Sequence, residues 1–283
     1  MKRIAVALIA LSLGLGLAAP ALADDSQEAA IGKQVYDQLS QKGEIIRESP
    51  YYAILDPIAT QIKRVADPQY SFPFHFILVH EKQPNAFAVP GGNVYVTDSL
   101  MTFVKNREEL AGVLCHETSH DIHHDVVNNN AKDQRLGIGA TVAEILLGRN
   151  GGIVNSVINM AANAQAASYS REVETAADLK GSETCAEAGS NPWGMVWLFQ
   201  TFEKAQTGGS MEMLSDHPRD DHRISDLETH FRADPTLYAK YSSNIAYATP
   251  LKAGTVGYRT TQPAVRRPSG IRHIDPVPWP SPH

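Results

Sequence analysis

Apolar residues recur at helical spacing along much of the chain and crowd together in three short runs. Ile31, Val35 and Leu39, then Leu55, Ile58 and Ile62, fall every three or four positions, which predicts helix over residues 26–65. The run from Phe72 to His80 is rich in Phe, Ile and Val and predicts a strand. Ala86–Val89 and Val94–Thr97 flank Pro90-Gly91-Gly92-Asn93, a turn signal, and predict two more strands. Leu110, Val113 and Leu114 form the next helical stripe, with Asn106 as candidate N-cap and Glu108 and Glu109 suiting the positive end of the helix dipole. Asn191-Pro192 opens another helix through Trp193, Val196, Trp197, Leu198 and Phe202. The pattern predicts an α+β fold, mainly helical, with a small three-stranded sheet or hairpin.

Residues 136–147 and 153–167 are apolar and small, split by Gly148-Arg149-Asn150-Gly151-Gly152. Neither run reaches the roughly 20 residues needed to cross a bilayer. They read as core helices first, and second as a helical hairpin serving as a lid or a membrane-surface contact. Residues 207–215 read as loop. Beyond 246 the periodicity stops, and prolines at 263, 268, 276, 278, 280 and 282 predict a disordered tail over 246–283. At the other end Met1-Lys2-Arg3, an apolar run from Ile4 to Ala19 and Ala21-Leu22-Ala23 predict a signal peptide over 1–23, cleaved after Ala23. Residues 24–245 are then expected to form one domain, exported and in at most peripheral contact with a membrane. A formal charge of −6 without a basic block argues against nucleic acid as a partner.

The chemistry is concentrated in His116-Glu117-Thr118-Ser119-His120. Residues four apart share a helix face, so the two imidazoles can reach one metal ion while Glu117 sits beside them as a base. The spacing predicts a zinc hydrolase, a protease before any other. Continuation as a metzincin would need Gly at 123 and His at 126, where this chain has His123 and Val126. A third ligand is expected farther along, in Ser170-Arg171-Glu172-Val173-Glu174-Thr175-Ala176-Ala177-Asp178. Glu174 and Asp178 share a face there, the first able to supply a ligand oxygen and the second to accept a hydrogen bond from a ligating imidazole.

With these blocks in view the chain resembles the gluzincin zinc metallopeptidases that include HtpX, the CAAX prenyl endopeptidases and the soluble periplasmic BepA- and LoiP-type proteases. The resemblance runs from about residue 85 to about 230. It rests on Asn85-Ala86-Phe87-Ala88-Val89-Pro90-Gly91-Gly92, on His116-Glu117-Thr118-Ser119-His120 with His124 following, on Ser170-Arg171 through Glu174 and Asp178 to Gly181, on Ala188-Gly189 with Asn191-Pro192, and on His217-Pro218 with Arg223-Ile224. It implies a zincin-like domain holding one Zn²⁺ through His116, His120 and Glu174, with Glu117 as catalytic base and Asp178 supporting the site from behind. It also implies that His217 lies over the centre, a candidate fourth ligand in a resting state, and that Arg223 stabilises the charged tetrahedral intermediate. If Asn85-Ala86-Phe87-Ala88 is an edge strand, an extended substrate can pair with it. Asp216 stands where the family more often has Thr or Ser, and Thr175 and Ala176 also depart from its pattern.

Compartment and family together imply a periplasmic endopeptidase acting on misfolded or unassembled envelope proteins, with the envelope assembly machinery as a candidate partner. Two other readings stand beside it: a periplasmic chaperone or assembly factor whose zinc site is structural or latched, and a hydrolase of cell-wall peptide or lipid. Cys115 and Cys185 remain open between two buried thiols and a clamp joining the two ligand helices.

Overall fold

A computed structural model describes residues 25–128, 169–205, 217 and 222–251. The expected signal peptide, the apolar pair at 136–147 and 153–167, the expected loop at 207–215 and the part of the expected tail from 252 onward lie outside the described residues.

The predicted helical run is two helices, α1 (Asp25–Gln41) and α2 (Tyr52–Ala66). They part where Gly43 takes a φ of 72°, a region glycine enters without steric cost, and Ile45 then bridges to Val79. Three strands, β1 (His75–Val79), β2 (Ala86–Val89) and β3 (Asn93–Thr97), form one mixed sheet in the order β1-β3-β2. His75 faces Asn93 in the parallel pair, and Ala86 faces Val96 in the antiparallel one. Alternate side chains leave opposite faces of a sheet. Phe76, Leu78, Val94 and Val96 join the core built on α2, while Ile77, Val79 and Tyr95 pack against Ile31, Val35 and Leu39 of α1. A sheet covered on both faces has no reason to alternate apolar with polar, which is why β1 and β3 read as continuous apolar runs.

Of the two edge strands, β1 is bonded to the chain at 44–46, the Ile46 N–H donating to the Leu78 carbonyl at 2.9 Å, and β2 is the other. The Thr97 N–H donates to the Asn85 carbonyl at 3.0 Å. Antiparallel ladders alternate, so Phe87 and Val89 also turn their backbone groups toward β3, and Ala86 and Ala88 turn theirs outward.

Helices α3 (Asp98–Phe103), α4 (Arg107–Ile122), α5 (Arg171–Ala188), α6 (Trp193–Ala205), α7 (Arg223–Ala233) and α8 (Pro235–Tyr238) complete the described fold. Asn106 caps α4 reciprocally: its Oδ1 accepts from the Glu109 N–H at 2.7 Å and its Nδ2 donates to Glu109 Oε1 at 2.9 Å. Every residue from Glu109 to Asp121 is buried, because α2, β2, α5 and α6 all pack against α4. Close approach against α4 calls for glycine on both α5 and α6. A Cβ on Gly194 would lie 2.0 Å from the Glu108 carbonyl oxygen, and one on Gly181 would lie 3.0 Å from the His116 backbone.

Between α4 and α5, Cys115 and Cys185 form a disulfide with their Cα atoms 5.9 Å apart. The clamp is the arrangement found. The packed unit also continues past residue 245: Leu251 is buried, Asn106 bridges to Pro250, and the Arg107 N–H donates to the Thr249 carbonyl at 2.9 Å. Residues 246–251 therefore belong to the domain and not to a tail. No periodicity announces them, since their partners are backbone groups and the Glu108 carboxylate of α4.

Candidate metal centre

The ends of α4 and α5 bring the site together. Ser170 caps α5, its Oγ accepting from the Val173 N–H at 3.4 Å, and the helix starts at Arg171. Glu174 and Asp178 then face α4 on successive turns. His116, His120, Glu174 and His217 each offer one ligand atom, all within 4.8 Å of one another, and all four residues are buried.

Their separations test whether a metal fits. Ligand atoms about 2.0–2.1 Å from a tetrahedral zinc are about 3.3–3.4 Å from one another. The two imidazole Nε2 atoms are 3.1 Å apart, and each lies 3.6 Å from a Glu174 carboxylate oxygen. His217 Nδ1 is 3.2 Å from His116 Nε2 and 2.9 Å from Glu174 Oε1. These separations, 2.9–3.6 Å, are close to such edge lengths, with the two imidazoles meeting different Glu174 oxygens and His217 at a fourth position, and the residues present fit a metal ion.

Each imidazole turns its other nitrogen to a carboxylate. His116 Nδ1 lies 2.9 Å from Asp178 Oδ1, a close contact whose angle falls short of a straight hydrogen bond. His120 Nδ1 lies 2.8 Å from Asp125 Oδ2. Tyr169 stacks on the His120 ring, with centroids 4.3 Å apart and planes 12° from parallel. Neither Asp125 nor Tyr169 was visible as a site residue from sequence spacing.

Arg223 lies behind the carboxylates. Its Nε and Nη2 donate to the two Asp178 oxygens at 2.6 and 2.7 Å, Nη1 is 3.0 Å from Glu174 Oε2, and the cation rests 4.4 Å from the Phe199 ring centroid. Glu117 is buried, with Oε2 accepting from the Ala88 N–H at 3.1 Å and Oε1 without a hydrogen bond. That bond ties the base to the edge strand.

The electrostatics follow from burial and charge. Burial pushes the His120 pKa down to about 3 and lowers that of His116, leaving both rings neutral. Burial raises Glu117, partly offset by His217 and His116. Burial also opposes ionisation of Glu174 and Asp178. His217, His116 and Arg223 together outweigh it at Glu174, Arg223 and His116 together do so at Asp178, and both carboxylates stay below their ordinary range. Burial works against the His217 cation too, yet Glu174 and Glu117 raise its pKa to about 9 in the metal-free site.

Residues 53–230 match the model of peptidase family M48. The chain belongs to that family. Among its M48 relatives is the β-barrel assembly-enhancing protease of Yersinia pestis, 28% identical over 75% of this chain and 45% of the relative. The protein of the same name from Escherichia coli is 25% identical over 91% of this chain and 57% of the relative. The mitochondrial metalloendopeptidase OMA1 of Schizosaccharomyces pombe is 28% identical over 53% and 44%. The chain spans about half the length of these curated relatives. Among the described residues no helix is long and apolar enough to cross a membrane.

Proposed function

We propose that this M48 chain is a zinc-dependent metalloendopeptidase of the periplasm, acting on misfolded or unassembled envelope proteins. The observation that carries the reading is a buried cluster of four ligand atoms beside Glu117, a buried carboxylate outside that cluster. A structural metal site needs no such base.

His116 and His120 would hold one Zn²⁺ through Nε2, and Glu174 through a carboxylate oxygen. The ion would supply Lewis-acid polarisation of the scissile carbonyl and lower the pKa of a water. Glu117 takes the proton of the attacking water and returns it to the departing amine. Its raised pKa suits both halves of that exchange. Asp178 holds His116 from behind. Arg223, one ion pair from Glu174, stabilises negative charge gathering at the centre through space, since its own donors are engaged by Asp178 and Glu174.

The outward carbonyl of half-buried Ala88, whose N–H is held by Glu117, would accept from the backbone of an extended substrate. Such pairing reads backbone and not side chains, which suits unfolded protein. The relatives named for β-barrel assembly support substrates and partners in the envelope assembly machinery. A test is to incubate metal-stripped and zinc-restored protein with a permanently unfolded, alkylated polypeptide and sequence the new N-termini. Cleavage only with zinc is expected. Zinc bound without cleavage, in the parent and in His217→Ala alike, would sink the peptidase reading and favour a chaperone.

A second reading, of a latched resting state, is favoured by His217 at the fourth position. His217→Ala is then expected to raise activity several-fold. Because His217 is protonated below about pH 9 without metal while His116 and His120 are neutral, zinc loading at pH 6 should release about one proton, and little in His217→Ala, where a water at the fourth position stays mostly neutral at that pH. Zinc affinity should correspondingly rise with pH up to about 9. Unchanged proton release and activity in the variant would remove His217 from the chemistry.

A further inference from the structure

Asp125 lies five residues past His120, a spacing that on an unbroken helix turns it about 140° away from the histidine. It nevertheless reaches His120 Nδ1 at 2.8 Å. The reason is a corner. Helix α4 ends at Ile122, His124 takes a φ of 54°, and a new helical turn runs over 125–128. A φ in that region is uncommon for any residue but glycine and persists where surrounding contacts hold it.

Those contacts come from the far side of the domain. His124 Nδ1 lies 2.7 Å from Glu28 Oε1, and the Tyr70 hydroxyl donates to Glu28 Oε2 at 2.6 Å. The same hydroxyl accepts from the Gly91 N–H at 2.9 Å, and the Tyr70 ring sits 5.4 Å from the His124 ring. Glu28 belongs to α1, is 0% exposed, and lies outside the 53–230 match to the family model. A carboxylate buried that completely is costly unless its partners compensate, and here both oxygens are engaged. The proposed peptide hydrolysis makes no direct use of it.

We propose that Glu28 is a positioning residue for the metal centre: it holds the His124 corner, the corner aims Asp125 at His120 Nδ1, and Asp125 fixes the imidazole that faces the metal. The carboxylate on Nδ1 selects the tautomer whose lone pair is on Nε2 and sets the ring orientation. Helix α1, beyond the matched region, thereby contributes to metal affinity through three residues in series. The inference rests on His120 being a ligand.

The test measures zinc affinity by chelator competition and the visible bands of Co²⁺-loaded full chain. Asp125→Ala should weaken zinc binding about 10–100-fold and shift the Co²⁺ bands. Asp125→Asn should recover most of both, because its amide oxygen accepts the same N–H. Glu28→Gln should weaken binding by about tenfold and shift the same bands. Added to Asp125→Ala, it should cost no further affinity. A purely structural role for Glu28 would lower the melting temperature of the apoprotein and leave the Co²⁺ bands in place; that outcome, or additive losses in the double variant, overturns the proposal. If Asp125→Ala does not fold, Glu28→Gln decides alone. Equal zinc affinity in the parent and His120→Ala would instead overturn the ligand assignment, and this inference with it.

Discussion

Glu117→Gln is expected to lower peptide hydrolysis by roughly 10²–10⁴-fold, the range a positioned general acid–base supplies, while zinc stays bound. Glutamine keeps the size of the side chain, and its amide oxygen can still accept from the Ala88 N–H, which Glu117 Oε2 does at 3.1 Å. What disappears is the ability to take a proton. The two roles separate cleanly because the cluster placed to hold a metal is His116, His120, Glu174 and His217, and Glu117 is not among them. Initial rates on an unfolded polypeptide, set beside zinc content per chain, check this. A variant that keeps a tenth or more of the parent activity with zinc bound would remove Glu117 as the base. Loss of zinc would show that Glu117 helps hold the metal.

Reduction of the Cys115–Cys185 disulfide is expected to destabilise the apoprotein by about 4 kcal/mol, within the ~2–5 kcal/mol range for native bridges. The bridge closes a loop with a sequence separation of 70, so its removal restores considerable freedom to the unfolded chain. Its position adds a second effect. Cys115 precedes His116, and Cys185 lies on the helix that carries Glu174, so the same two helices are joined by the bridge and by the proposed metal. Zinc should therefore restore part of the lost stability, since a ligand that binds only the folded form favours it by mass action. Denaturant midpoints of oxidised and reduced protein, each with and without zinc, measure both terms. Two freely reactive thiols in the protein as isolated, with no change in midpoint on adding reductant, would contradict the bridge.

How much of this was legible beforehand differs from element to element. Helix α4 was, because a helix repeats every 3.6 residues and the residues of His116-Glu117-Thr118-Ser119-His120 are neighbours in sequence as in space. The three strands were, because β-branched and aromatic runs bounded by Gly91-Gly92 leave few alternatives. The break between α1 and α2 was not: Ile45 is apolar and fits a helical stripe, and the turn at Gly43 and the bridge to Val79 take it out of one. The 246–251 strap carries no periodic signal at all.

Sequence alone determined the fold class, the helix that presents two histidines and a glutamate, and the second helix on which Glu174 and Asp178 share a face. These are properties of local spacing. Tertiary structure decided what depends on distant residues meeting: the Cys115–Cys185 bridge, the placing of His217 at the fourth position, and the burial of Arg223 behind two carboxylates. It also decided the Glu28–His124–Asp125 series, which no spacing rule reaches. Periodicity reports which residues lie on one face of one element. Which faces meet is set by the packing of all the elements at once, and a residue such as Asp125 acquires its partner only when a left-handed corner, held by a helix some ninety residues upstream, turns the chain back on itself.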